Sequence, residues 1–231
     1  MRSQFLKGVY QGLPIGLGYL SVSFGFGIMA VKAGLSVLAA VGISITNLTS
    51  AGQAAGVTVI AAAGSLIELV FTQLVINIRY SLMAISLTQK LDGSFNTLKR
   101  MTVAFGITDE VYAFAAANPE KLTPKYMYGL ISLPVLGWTL GTFLGAAAGE
   151  ILPAAVSNAM GIMLYGMFIA IVVPPAKKNS KILFAVIITA VFSLIFYYFL
   201  PAVSSGFAII ISAVAASVIT AVICPVKEEE E

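Results

Sequence analysis

The sequence predicts an all-α integral membrane protein, a polytopic bundle of about eight transmembrane helices, some of them broken or re-entrant. Three observations carry that prediction. The chain is 59% hydrophobic and only 10% charged, where a soluble domain is typically about 25% charged. Its mean hydropathy of +0.97 implies more apolar surface than one soluble core of 231 residues can bury, so lipid is the expected solvent. Apolar runs near the ~20 residues that cross a bilayer recur along the chain.

These runs fall near 11–31, 36–62, 65–89, 98–117, 126–151, 155–173, 181–200 and 206–224. The first follows Arg2 and Lys7 and has the outline of a signal peptide. No small-residue cleavage site is evident, however, and Pro14 and several glycines interrupt it, so it reads as a mature first helix. The second and fourth runs hold polar residues near mid-span. The last four are clean, as in "SKILFAVIITAVFSLIFYYFL" and "GFAIIISAVAASVITAVIC". The reading is one polytopic domain over 1–231, with a motif-bearing half at 1–117 and a clean-helix half at 126–224. Residues 225–231 form a charged tail.

Basic residues in short loops set orientation. Arg2 and Lys7, then Lys121 and Lys125, then Lys177, Lys178 and Lys181 share one side under an eight-crossing count, which places both termini and the tail in the cytoplasm. The loops near Pro153 and Pro201 carry no basic residue. Lys90, Lys99 and Arg100 object to that count, since it puts them outside. Either the rule is violated there or the region 36–117 contains a re-entrant segment.

Gly137, Gly141, Gly145 and Gly149 are spaced four apart in "GWTLGTFLGAAAG", and Gly8, Gly12 and Gly16 repeat the spacing near the start. Such stripes let helix backbones approach closely in lipid, and tight packing within the chain is their expected role. A faint internal repeat links "PIGLGYLSVSFGFG" with "PVLGWTLGTFLGAAAG".

Three polar clusters interrupt the apolar pattern. Asn47, Thr49, Ser50, Gly52 and Gln53 fall mid-way through the second run. Asn and Ser side chains compete for backbone hydrogen bonds and glycine relaxes the φ limit, so a broken helix is expected. Freed backbone groups at membrane depth are tolerated only against protein or a wet cavity, which marks 47–53 as a candidate binding site; a Ser/Thr/Asn packing patch is the plainer alternative. In the third run Glu68 and Arg79 are eleven apart, about 16 Å along a helix, too far to pair. Gln73 and Asn77 share a face. Arg79, beside Asn77 and Tyr80, either works in the interior or snorkels from a helix end.

The third cluster is "GITDEVYAF", with Thr108, Asp109 and Glu110 together. Ionised carboxylates are costly in a bilayer. Thr108 or Asp109 as N-cap of a restarted helix accounts for one acid. It does not account for both, because adjacent helical residues point ~100° apart. One acid is therefore expected to face Arg79 or a polar path, and Asp109, Glu110 and Glu68 are the candidate ion-coupling groups, Asp109 foremost.

Other chemistries find little support. There is no histidine, and Cys224 is the single cysteine, so a His-ligated metal site and an intrachain disulfide are not available. No HExxH or GxSxG motif is present. No basic tract interleaved with aromatics points to nucleic acid, and the net charge is only +3. The expectation is a protein that is not an enzyme and holds no cofactor or metal.

In order, "LPIGLGYLSVSFGFG", "SAGQAA", "NIRYSL" and "GITDEVYAF" resemble the motifs of the AzlC family, the large subunits of bacterial branched-chain amino-acid exporters. The motif resemblance covers roughly the first 115 residues. It departs in having Tyr80 where many members have histidine, and "NLTSAG" where many have an aromatic before the alanine-glycine pair. The resemblance implies a small hydrophobic AzlD-type partner subunit and export of valine, leucine and isoleucine, with methionine a further candidate, across the bacterial inner membrane.

The residues fit a mechanism of that kind. Half-helix N-termini near 47–53, or Arg79, offer donors to a substrate carboxylate, and Asp109 or Glu110 offers an acceptor to its ammonium. A carboxyl in this setting is able to exchange a proton for substrate; Na⁺ coupling stays open. Two rival readings remain: a passive channel for small solutes, and a structural subunit that transports nothing.

Overall fold

The computed structural model describes residues 3–149, 152, 153, 166, 169, 170 and 172–224. It is an all-α, polytopic membrane protein. The helices are α1 (Gln4–Lys32), α2 (Val37–Thr46), α3 (Ala51–Ala61), α4 (Leu66–Thr88), α5 (Thr97–Phe105), α6 (Asp109–Ala117), α7 (Pro124–Gly149), α8 (Ser180–Phe199) and α9 (Ser205–Ile223). Residues 172–178 are also helical. No strand occurs among the described residues. Helices α1, α4, α7, α8 and α9 are each long and apolar enough to cross a membrane. The expected run at 155–173 and the tail at 225–231 fall mostly or wholly outside the described residues.

The chain divides into two compact units. The first comprises Met1–Ala54 and Asn77–Leu164, the second Ala55–Ile76 and Tyr165–Glu231.

The first unit is built on α1 and α7. Helix α1 starts seven residues before the expected run, because the Ser3 side chain caps Leu6 N–H and its head carries exposed Gln4 and the half-buried, ion-paired Lys7. Pro14 and Pro134 lie inside the two helices. The glycine stripes face one another. A Cβ on Gly8 would meet the Tyr126 carbonyl and Leu130 N, one on Gly137 would meet Gly16, and one on Gly145 would meet the Phe24 backbone. The paired residue numbers rise together, so the helices run parallel. Both N-termini therefore lie at one end, where Lys7 Nζ is 3.1 Å from Glu120 Oε2.

The position of the 89–96 loop decides the topology of this unit. Asp92 N–H donates to the Leu122 carbonyl at 3.0 Å and Leu122 N–H to the Lys90 carbonyl at 2.8 Å. Lys90 Nζ reaches the Ala116 and Asn118 carbonyls and so satisfies the C-terminal end of α6. The 89–96 and 118–123 loops are thus on one side. Helices α5 and α6, nine residues each, go about 14 Å in and return. The fourth apolar run does not cross. It is re-entrant, and Lys90, Lys99 and Arg100 lie at the same end as Lys121 and Lys125. That removes the objection these cations raised, in favour of the re-entrant alternative.

The second apolar run is also interrupted. Helix α2 ends at Thr46, and α3 starts at Ala51. Gln53 Nε2 donates to Ser44 Oγ at 2.9 Å, and Ser44 Oγ lies 2.7 Å from Thr142 Oγ1 of α7. Residues nine apart touch, so the chain turns back at 47–50. The non-helical stretch is narrower than 47–53, since Gly52 and Gln53 already belong to α3.

In the second unit, α8 and α9 form an antiparallel pair. No residue of α8 is buried within the structure, as suits a helix facing lipid.

Candidate functional site

The two helix breaks of the first unit share a cavity of about 170 Å³. Thr46, Asn47, Leu48 and Thr49 line it from the α2–α3 turn, Ala104, Phe105 and Ile107 from the α5–α6 turn, and Tyr80 from α4. Helix α2 is ten residues long, about 15 Å, or half a hydrocarbon core. Thr108 of the second turn meets Tyr19 midway along membrane-length α1, and the first turn shares its cavity, so both breaks lie well inside the span, where broken helices must face protein or a polar cavity. Ser50 holds φ +40, left-handed backbone that non-glycine residues adopt only under constraint. One wall of the cavity is polar and the other is apolar.

Each turn has a local cause. Thr46 Oγ1 bonds back to the Gly42 carbonyl at 2.7 Å, and Asn47 leaves helical φ/ψ as the C-cap. At the other turn Gly106 lies where a Cβ would come within 2.7 Å of the Ile131 side chain, so α5 stops against α7. Thr108 then caps α6, accepting from Val111 N–H. The N-cap is therefore Thr108 and not Asp109, and both acids stand in the first turn of α6 with their side chains free for other partners.

They take different partners. Asp109 Oδ2 is 2.8 Å from Arg79 Nη1. Arg79 Nη2 donates to Tyr80 Oη at 3.2 Å, and its guanidinium carbon lies 4.9 Å from the Tyr80 ring centre. Arg79 is half-exposed and paired, neither sealed in the interior nor extended alone to the interface. Glu110 Oε2 instead accepts from the Tyr19 hydroxyl of α1. Tyr19 Oη also lies 2.7 Å from Thr108 Oγ1. A phenol has one proton and a carboxylate only accepts, so that proton belongs to Glu110 and the threonine hydroxyl supplies the second bond. Tyr19 packs edge-on against the buried Trp138 of α7, ring centres 5.3 Å apart.

Tyr80, Asn47 and Thr49 thus meet at the cavity; Arg79 adjoins Tyr80 in the chain, and Thr108, Asp109 and Glu110 follow directly on the lining residue Ile107. Gln53 is buried and points toward Ser44. Gly137, Gly141 and Gly145 belong to the α1–α7 contact, with Gly149 more loosely beside Ile28. Glu68 belongs to the second unit and makes its contacts there. Tyr19 was not singled out by sequence. Its hydroxyl did not stand out, since Ser21 and Ser23 follow it in the same mid-span stretch. No group of three or more potential metal ligands occurs among the described residues.

Outside the membrane the Lys7 ammonium, through its hydrogen bond to Glu120, holds that carboxyl below its ordinary value, with Gln4 assisting.

The family model described as AzlC protein matches residues 14–152. This chain belongs to the AzlC family. It is similar to "Inner membrane protein YgaZ" of Escherichia coli (strain K12), 30% identical over 185 residues, covering 77% of this chain and 76% of that protein. An uncharacterized membrane protein of Archaeoglobus fulgidus is 30% identical over 177 residues, with 76% of this chain and 77% of the relative covered. One of Helicobacter pylori (strain 26695) is 26% identical over 186 residues, covering 77% and 80%. No solved structure matches the chain. The matched stretch of this AzlC protein contains both helix breaks, Arg79, Tyr80 and the two acids.

Proposed function

We propose that this AzlC-family protein is a membrane transporter that exports branched-chain and other hydrophobic amino acids, as the large subunit of a two-component exporter with an AzlD-type partner. The observation that carries the reading is the meeting of two mid-membrane helix breaks at one cavity, with an ion pair and a second carboxylate beside it. The N-terminus of α3 offers backbone N–H groups to a substrate carboxylate. The N-terminus of α6 is already supplied with acids of its own, so it suits an ammonium. Asp109 is compensated by Arg79, which leaves Glu110 as the one of the two α6 acids with no cation in ion-pair distance among the described residues. Glu110 therefore replaces Asp109 as the first candidate to receive the substrate ammonium or a coupling proton. The apolar wall of Ala104, Phe105 and Ile107 accommodates an aliphatic side chain.

Transport by proton antiport, in a bacterial cytoplasmic membrane with both termini inside, completes the proposal. The orientation draws on the basic residues gathered at one end of the first unit. The protein acts in this reading as a carrier and not as an enzyme.

The test loads cells with labelled leucine, with and without this chain and its small partner, and follows efflux under an imposed pH gradient. Export against the leucine gradient that depends on both chains is expected, and Glu110→Gln should keep exchange yet lose pH-driven export. Flux that only follows the leucine gradient marks a channel, and no flux with an intact complex marks a structural subunit.

A further inference from the structure

Glu68 lies in the second unit. It stands in the first turn of α4, and its own N–H donates to Ser65 Oγ at 3.1 Å. Ser65 and Glu68 have the spacing of a capping box, in which the N3 carboxyl ordinarily returns to its own helix. Here Glu68 Oε1 accepts from a different helix, taking the Ser204 hydroxyl at 2.5 Å and Gly206 N–H at 3.0 Å. Helix α9 has no capping carboxylate of its own. Ser204 is its N-cap but makes no side-chain capping bond, and the position three residues on is Phe207. The first N–H groups of a helix need acceptors, and an anion is favoured there by the aligned peptide dipoles.

Two further observations show that the place is built for the carboxyl. A Cβ on Gly206 would come within 2.7 Å of Glu68 Cγ, and closer still to Oε1. Glycine is what lets the carboxyl in. Thr72, one turn along α4, is fully buried, and its Oγ1 faces the same Gly206 position with no partner among the described residues. Glu68 itself is only 4% exposed. A carboxyl so enclosed is tolerable only where donors meet it.

We infer that Glu68 caps α9 in trans, fastening the turn before the last helix to α4. It is a structural clasp and not a translocation carboxylate. The clasp involves only residues of the second unit and stands whether or not the chain exports amino acids.

Amide hydrogen exchange on the purified full-length protein in detergent tests it, read on peptides covering 204–208. Glu68→Ala should speed exchange there roughly tenfold, the scale of a lost bond to a charged group, while Glu68→Gln, which keeps an acceptor oxygen but not the charge, should speed it less. Gly206→Ala should reproduce the Glu68→Ala effect by displacing the carboxyl. The double variant should fall short of the sum of the two single ones, because the carboxyl is no longer there to be displaced and only Thr72 Oγ1, 2.9 Å from the added methyl, still has to shift. Unchanged exchange in Glu68→Ala, or effects that simply add, would overturn the inference. If Gly206→Ala does not fold, Ser204→Ala serves: it should speed exchange in the native background and not in Glu68→Ala.

Discussion

Arg79 Nη1 and Asp109 Oδ2 stand 2.8 Å apart, an ion pair that joins α4 to the start of the returning half of a re-entrant hairpin. Tyr80 holds the guanidinium from the other side through its ring and hydroxyl. The side chains keep 40% and 36% of their exposure. Arg79→Ala should therefore cost about 2 kcal/mol, less than the ~3–5 kcal/mol of a sealed pair. Arg79→Ala with Asp109→Asn should recover part of that loss in detergent melts. A silent Arg79→Ala would show that the pair carries no stability.

Tyr19→Phe removes the hydroxyl shared by Glu110 and Thr108 while keeping the ring against Trp138. The buried Thr108 and the Glu110 carboxyl each lose a bond, for an expected ~1–3 kcal/mol. The phenylalanine variant should melt earlier than wild type, and Tyr19→Phe should cost less in a Glu110→Ala background, where only the bond to Thr108 is left to lose, than in the native one. Independent, additive losses would show that the hydroxyl does not serve Glu110.

The re-entrant hairpin makes a topological prediction. In a Cys224→Ser background, cysteines placed at Ser94 and at Lys121 should both react with a membrane-impermeant thiol reagent from the same side. Labelling from opposite sides would mean that residues 97–117 cross the membrane, against the backbone pairing of Asp92 with Leu122.

The parallel α1–α7 contact separates glycines by position. Gly145→Ala drives a methyl into the Phe24 carbonyl, and overpacking of this kind costs about 1–3 kcal/mol. Gly18, in the same helix as the first stripe, has nothing within 4 Å of a Cβ, so Gly18→Ala should be neutral or gain up to ~1 kcal/mol from helix propensity. Equal melting points for the two variants would deny the close approach.

The candidate site was partly legible from residue types. Polar residues at 47 and 49 and charges at 79, 109 and 110 stand out because lipid penalises them, and a Gly-x-Thr before two acids announces a helix restart. Partners were not legible. Nothing local distinguishes Asp109 from Glu110; that Arg79 takes the first and Tyr19 the second depends on how α1 and α4 pass the tip of the hairpin. Glu68 likewise showed no partner within its own helix, because its partners are 136 and 138 positions away.

Composition and hydropathy by themselves determined that the chain is helical and lives in lipid, since a backbone in hydrocarbon must satisfy its hydrogen bonds within each segment. They also located the helix breaks to within a few residues, because capping and turn residues act locally. What only the tertiary structure decided is which apolar runs cross. An eighteen- to twenty-residue run folded back at its middle presents the same hydropathy to lipid as one that spans, and the difference lies in a few hydrogen bonds between loops at 90–92 and 122. The opposition of the two glycine stripes was decided the same way. Each stripe states that something comes close, and only the packing of α1 on α7 says what.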